Sequence, residues 1–258
     1  MSEYKYVNEN AQVFEGNLAK QFLSKHSDEK YLTEEGIISV DESRWREAQR
    51  YESGEWLKRA AGMTDDRNYF HKETFDNYTA LKGKPLESAI ELGCGPFTNI
   101  RLIEKVLPNL KNITLLDPLA STYIISQPNC TYKDHKINEK NVKIVTSSIE
   151  DFKVERKYDL VVMINVLEHC FSMPKIFDKV NSMMEPGAYF VYTDVQFDYD
   201  TIVKISRSKY NSGHPLRATK EYINSVLTRD FETVFSTTFD DEVAGEQAEE
   251  LYFVGFKK

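Results

Sequence analysis

The residues best suited to chemistry in this chain stand at the ends of apolar runs. Ser88-Ala89-Ile90-Glu91-Leu92-Gly93-Cys94-Gly95-Pro96-Phe97 carries a strand-like run into a carboxylate, a Gly-Cys-Gly turn and a helical pattern. Twenty-two residues after Gly95, the run Ile113-Thr114-Leu115-Leu116 ends at Asp117, with Pro118 next. A glycine-rich strand-to-helix turn followed by an acidic strand tip is how an α/β sheet holds a ribose-bearing cofactor. In a dinucleotide turn, a third glycine lets helix and strand close around a pyrophosphate. Here Thr98 holds that position behind Phe97, and Glu91 places a carboxylate two residues before the first glycine. Both features disfavour a polyanion, and with it a nicotinamide dehydrogenase. They suit a nucleoside joined to a cationic amino-acid portion.

Proton chemistry has few candidates, because the chain has 5 histidines. His169 follows Glu168 just past the apolar run 158–164, and His214 lies in the loop Ser212-Gly213-His214-Pro215-Leu216-Arg217. Loops at the carboxyl ends of parallel strands are where such sheets bind substrates, so both are candidate general bases. A structural histidine in a turn and an exposed loop histidine are the plainer readings of the two. Arg217 and Arg207 could meet a phosphate or carboxylate. Asp194 and Tyr192 end the run 187–195 and are placed to line an acceptor pocket, with Tyr69 and His71 facing them from an N-terminal helix. The carboxylates and histidines show no ligand spacing, so no metal is expected. Cys94, Cys130 and Cys170 read as small packing residues, with neither metal spacing nor a disulfide framework.

The elements that must position these groups follow from periodicity. Residues 1–40 are polar and weakly periodic and read as a loosely attached arm. Asp41 is a candidate cap for a helix over 42–61, in which Trp45, Gln49, Glu52 and Trp56 share one face. That face reads either as a packing stripe or as a lid whose Gln49 and Glu52 meet a ligand. A second helix is expected over 65–81, ended by Lys82-Gly83-Lys84-Pro85. From residue 86, strands expected at 87–92, 112–117, 142–147, 158–164 and 187–195 alternate with helical patterns. Thr219 is a candidate cap for a helix to about Leu227. The runs Phe231–Phe239 and Leu251–Lys258 read as a closing antiparallel pair around an acidic loop, Asp240 to Glu250. The expected fold is α/β: a doubly wound, mainly parallel seven-stranded sheet with helices on both faces, its last strands an antiparallel pair. An N-terminal arm and helical cap (1–84) would precede the Rossmann-like core (85–258).

A 41% hydrophobic content is that of a folded protein. The net charge of −8, without basic stripes, argues against a nucleic-acid partner. The N-terminus lacks a signal-peptide core and no apolar run reaches 18 residues, so the chain reads as cytoplasmic and not inserted in a membrane.

Taken in order, these motifs resemble class I S-adenosylmethionine-dependent methyltransferases from about Leu86 to the C-terminus. Glu91-Leu92-Gly93-Cys94-Gly95-Pro96 is similar to that family's first motif, with Phe97 in place of its commonest third glycine. The resemblance implies that Asp117 takes the ribose hydroxyls, as a carboxylate accepting two donors would. Ser148 stands where the family usually has an Asp beside the adenine, and Ile149 is placed to pack on the ring. Asp159 to His169, through Asn165, Val166 and the sequence Leu167-Glu168-His169, resembles the fourth-strand motif of small-molecule members. Met184-Glu185-Pro186-Gly187 resembles the turn into the fifth strand. The cofactor set implied is Glu91, Gly93, Cys94, Gly95, Asp117, Pro118, Ser148, Ile149, Asn165 and Val166. The helix around Arg44-Trp45-Arg46-Glu47-Ala48-Gln49 also looks like the leader of methyltransferases in bacterial surface-polysaccharide pathways. The expected function is O-methylation of a small polar acceptor, a saccharide or its phosphorylated or nucleotide-linked form, by a monomer or homodimer. An amine acceptor and a non-catalytic regulator that binds S-adenosylmethionine are the alternatives.

Overall fold

The computed structural model of the protein describes residues 28–207 and 213–258, without the side chains of Ala61 and Arg207. Most of the expected arm, His26 and the Arg207 side chain lie outside the described residues. In chain order the elements are β1 (Ile37–Ile38), α1 (Glu42–Arg59), α2 (Asp66–Thr74), β2 (Ser88–Leu92), α3 (Ile100–Ile103), β3 (Asn112–Leu116) and α4 (Ala120–Ser126). Then come β4 (Lys136–Ile137), β5 (Lys140–Val145), β6 (Tyr158–Ile164), α5 (Met173–Ser182), β7 (Met184–Gln196) and α6 (Tyr199–Arg207). β8 (Arg217–Ala218), α7 (Lys220–Asp230), β9 (Phe231–Val243) and β10 (Glu246–Lys257) complete the order.

Among the described residues, the main sheet runs β4-β5-β3-β2-β6-β7-β10-β9. Strands β5, β3, β2, β6 and β7 are parallel. β10 and β9 close the sheet antiparallel. The chain winds outward from β2 in both directions, which opens a crevice beyond the carboxyl ends of β2 and β6. Every residue of β2 is buried, because both faces of the sheet are covered. Alternate residues go to opposite faces: Ile90, Leu92, Val161 and Met163 join one apolar cluster, and Ala89, Leu115, Leu160 and Val162 the other. The two expected caps form. The Asp41 carboxylate accepts from Arg44 N at 2.9 Å, and Thr219 Oγ1 accepts from Tyr222 N at 3.3 Å.

The sheet differs from the expected seven strands by the two-residue edge strand β4, which pairs antiparallel with β5. The helix expected over 65–81 stops at Thr74, because Asp76, Asn77 and Tyr78 have φ of 49°, 55° and 58°. Asp and Asn tolerate that region, and Tyr78 is held in it by burial and by stacking on Phe75 at 5.4 Å. The acidic segment 240–250 is no loop. β9 and β10 stay paired out to Val243↔Glu246, and the chain reverses over Ala244 and Gly245, with φ of 55° and 82°. Two positive-φ residues match the twist of a hairpin. A second, two-stranded ladder joins β1 to β8, Ile37 opposite Ala218 and Ile38 opposite Arg217. Among the described residues, no helix is long and apolar enough to cross a membrane.

Candidate active site

Strand ends build one side of a cavity of about 530 Å³ at the crevice, a volume in the usual range for small-molecule sites. At Gly93, φ is 66°, and a Cβ there would overlap the Val166 side chain, so only glycine lets the β2 turn meet the β6 turn. Gly93 N and Cys94 N both donate to the Leu116 carbonyl, at 2.7 and 3.2 Å. The Asp117 carboxylate accepts from Gly95 N at 3.0 Å and Leu119 N at 2.7 Å, which ties the tip of β3 to the glycine turn. Burial pushes its carboxyl up to about 6, against those two donors. Gly93, Cys94, Gly95, Asp117, Pro118, Ser148, Ile149, Asn165 and Val166 all line this end of the cavity.

Glu91 does not join them. Its buried carboxylate accepts from Thr98 Oγ1, from Asn99 N at 2.9 Å and Nδ2 at 3.1 Å, and from Ile100 N at 3.2 Å. It therefore orders the start of α3 instead of facing a ligand, and burial raises it to about 7. Asn99, which the sequence reading passed over, does line the cavity, and its buried Oδ1 has no hydrogen-bond partner among the described residues. Ser148 Oγ donates to Asp151 at 2.9 Å and accepts from Asp151 N at 3.1 Å, closing a turn. Glu150 beside it, also passed over, accepts from Phe171 N at 2.8 Å and Ser172 N at 3.1 Å. The Cys94 thiol is buried, pushed well up by burial, and donates toward Tyr132 Oη at 3.6 Å, a packing role.

The other side of the cavity is assembled from distant segments. Trp45 Nε1 and Gln49 Nε2 both donate to the His169 carbonyl, at 3.0 and 3.3 Å. Trp45 packs on Phe171 at 5.2 Å and Trp56 on Tyr123 at 5.5 Å, so the α1 face docks the helix. Trp45, Gln49, Glu52 and Trp56 also line the cavity, so the face that packs the helix also borders the site. The rings of His169 and His214 lie 4.4 Å apart, and both line the cavity. His169 Nδ1 is 3.1 Å from the Gly213 carbonyl, which only accepts, so the proton sits on Nδ1. Burial lowers both imidazoles below the usual histidine range, and the neighbouring His214 lowers His169 further. His214 Nε2 is 3.3 Å from Glu168 Oε1, and Arg217 Nη1 is 3.1 Å from Glu168 Oε2. Burial would raise Glu168, but His214 and Arg217 outweigh it and hold the carboxyl down to about 2.

Four expected acceptor residues sit elsewhere or act differently. Arg217 is buried against Glu168 and is not part of the cavity wall, because it neutralises that carboxylate. Asp194 is also outside the wall: its Oδ2 accepts from Val166 N at 2.9 Å and Leu167 N at 2.6 Å, fixing the turn after β6. Burial, then the charge of Glu168, raises Asp194 to about 8. Tyr192 packs in the core beside Phe190. Tyr69 is exposed, with the Arg101 guanidinium 5.2 Å over its ring, one helical step away from the cavity side of α2. His71 does line the cavity. Its Nδ1 is 2.9 Å from Tyr252 Oη, its Nε2 is buried without a partner among the described residues, and burial keeps it well below the usual range. Asp241, Glu242 and Glu250 reach the wall only because the closing hairpin overhangs the crevice.

A sheet wound outward from β2, with a glycine turn and an acidic tip at its switch point, is the arrangement with which open α/β sheets bind nucleoside-bearing ligands. A family model described as a methyltransferase domain matches residues 44–232, so the chain belongs to that methyltransferase family. Solved structures with the same fold include the N-methyltransferase NodS from Bradyrhizobium japonicum WM9 in complex with S-adenosylhomocysteine. It is 20% identical, with a TM-score of 0.52 over 79% of this chain and 98% of that one. Another is the 1,6-didemethyltoxoflavin-N1-methyltransferase of Burkholderia thailandensis, 13% identical, with a TM-score of 0.55 over 86% of this chain and 95% of that one. Comparison with curated protein sequences finds no match. The protein is an S-adenosylmethionine-dependent methyltransferase. The residues present fit that cofactor: Gly95 leaves open space where a Cβ would stand, Asp117 offers a carboxylate to hydroxyl donors, and the orphaned Asn99 Oδ1 offers an acceptor to an ammonium.

Proposed function

We propose that the enzyme methylates a hydroxyl of a small polar acceptor, a saccharide or its phosphorylated or nucleotide-linked form, in cytoplasmic assembly of a surface polysaccharide. The cofactor, when bound, supplies a methyl group already activated on a sulfonium. Asp117, Asn99 and the Gly93–Gly95 turn would hold it, with Ile149 against its base. The remaining work falls to this chain's own residues: aligning the acceptor oxygen and taking its proton. Alignment alone can supply about 7–11 kcal/mol in well-oriented reactions, and a positioned base adds about 10²–10⁴-fold.

The observation that carries this reading is the His169–His214 pair, 4.4 Å apart in the cavity wall. With Nδ1–H held by Gly213, the lone pair of His169 is on Nε2, and burial keeps the ring neutral and ready to accept a proton. Trp45 and Gln49 clamp the residue through its carbonyl. An acceptor amine is the second reading, favoured by the carboxylates Glu52, Asp241 and Glu250 in the same wall and by the N-methyltransferases among the fold relatives. Product mass spectrometry with methyl-labelled cofactor and a panel of sugar nucleotides, sugar phosphates and amino sugars separates the two. Label on oxygen supports the proposal. Turnover of amino sugars alone, with label on nitrogen, would refute it.

A further inference from the structure

The chain's carboxylates and histidines have no ligand spacing in sequence, yet the fold brings three of them together. Glu52 from α1, His169 from the turn after β6 and His214 from the loop before β8 each offer a donor atom within 4.8 Å of the other two. Glu52 Oε1 approaches the His169 ring to 4.0 Å at Nδ1, and with Nδ1–H on the Gly213 carbonyl the Nε2 lone pair is the one left for an ion. All three side chains line the cavity. We propose that Glu52, His169 and His214 form a binding site for one divalent transition-metal ion, whose open positions face an oxygen-bearing acceptor.

The donor set selects the ion. Two imidazoles and one carboxylate suit zinc, iron, cobalt or nickel, whereas magnesium and calcium require a shell of oxygens. Three protein ligands leave at least one position for water or substrate, as in catalytic metal sites. The surroundings are those of a metal site as well. Ligating histidines are normally oriented by a carbonyl or carboxylate partner on the ring. His169 is oriented by the Gly213 carbonyl at 3.1 Å, and His214 by Glu168 at 3.3 Å, itself held by Arg217 at 3.1 Å. Gly213 itself lies close to Glu52, since a Cβ there would overlap the Glu52 carboxylate. Asp241, Glu242 and Glu250 add negative charge to the same wall, opposed by Arg59 and Arg67.

The inference goes beyond the methylation reading, because ion binding belongs to three side chains whatever the acceptor is; an ion occupies the His169 lone pair, so proton acceptance by His169 belongs to the ion-free protein. Calorimetric titration of the full chain with zinc or cobalt chloride, magnesium chloride as the comparison, tests it without any acceptor. The expected result is one zinc or cobalt ion per chain, visible-region absorption from cobalt bound to nitrogen, and no comparable magnesium binding. Glu52→Gln, a near-isosteric change on a partly exposed side chain, should weaken binding by at least about tenfold, and His214→Asn should do the same. Circular dichroism establishes that each variant is folded. Absence of stoichiometric zinc or cobalt binding to the folded wild type, or binding unchanged in Glu52→Gln, would overturn the proposal. Either result leaves the product assay for hydroxyl methylation to stand or fall separately.

Discussion

The two ends of the cavity are made by different means. At the cofactor end, backbone geometry does the positioning: Gly93 and Cys94 hang on the Leu116 carbonyl, and Asp117 holds Gly95 N. The groups come from adjacent strand ends of one sheet, so their relative places follow from β2, β3 and β6 being neighbours. At the opposite end, where the proposed acceptor would sit, side chains do the positioning. Glu52, His71, His169, His214 and Glu250 come from five separate stretches, held by contacts such as Trp45 to the His169 carbonyl. Cofactor affinity and turnover should therefore respond to different substitutions, and the comparison can be broken by finding one that moves both.

The largest effect is expected for His169→Ala, with turnover down by about 10²–10⁴-fold and affinity for S-adenosylmethionine unchanged in calorimetry. A matching loss of cofactor affinity would show the ends to be coupled. The pH profile sharpens the same point. Burial holds the folded pKa of His169 below 6.5, so the imidazole is already the neutral base at pH 7. With divalent ions removed by a chelator, turnover at saturating cofactor should be flat above pH 6.5 and fall as pH drops through the folded pKa, and His169→Ala should lack that limb. Next is Gly93→Ala. Left-handed strain plus overlap with Val166 should cost about 3 kcal/mol of stability, read as a lower denaturation midpoint, with cofactor binding lost alongside. Asp117→Ala should weaken cofactor binding by about 1–3 kcal/mol while sparing turnover at saturation. The smallest is Trp45→Phe, which keeps the ring on Phe171 but loses one hydrogen bond to His169. About 1 kcal/mol should appear in acceptor kinetics and none in cofactor affinity.

The same contrast explains what could be read from the residues alone. The glycine turn, Asp117 and the strand alternation are local patterns of a dozen residues or fewer, and the strands form near where periodicity places them. The tertiary destinations of single polar groups are not local. Asp194 and Arg217 stand at strand ends where site residues are expected, but each turns inward, to the Val166 and Leu167 amides and to Glu168. Glu91 precedes the turn as a ligand-facing acid would, but the turn folds back and gives it Thr98, Asn99 and Ile100. The run Asp240–Glu250 reads as a loop because only Val243 and Ala248 supply apolar side chains to its half-buried face, among six carboxylates. Ala244-Gly245 is also a weaker turn signal than Asn-Gly. Glu52, His169 and His214 meet across 162 residues of chain, which no spacing rule reports.

The short ladder between β1 and β8 carries a practical consequence for anyone recombining this enzyme with its relatives. Ile37 and Ile38 pair with Ala218 and Arg217, Thr219 N donates to Gly36 O at 3.1 Å, and a Cβ on Gly36 would overlap the Thr219 side chain. A chimaera that swaps only the leading segment would put a foreign edge against the segment that carries His214 and Arg217. With the acceptor placed as proposed, the cassette for transplanting acceptor choice is split in the gene: the leader through the α2 region together with the stretch 213–219, exchanged as a matched pair.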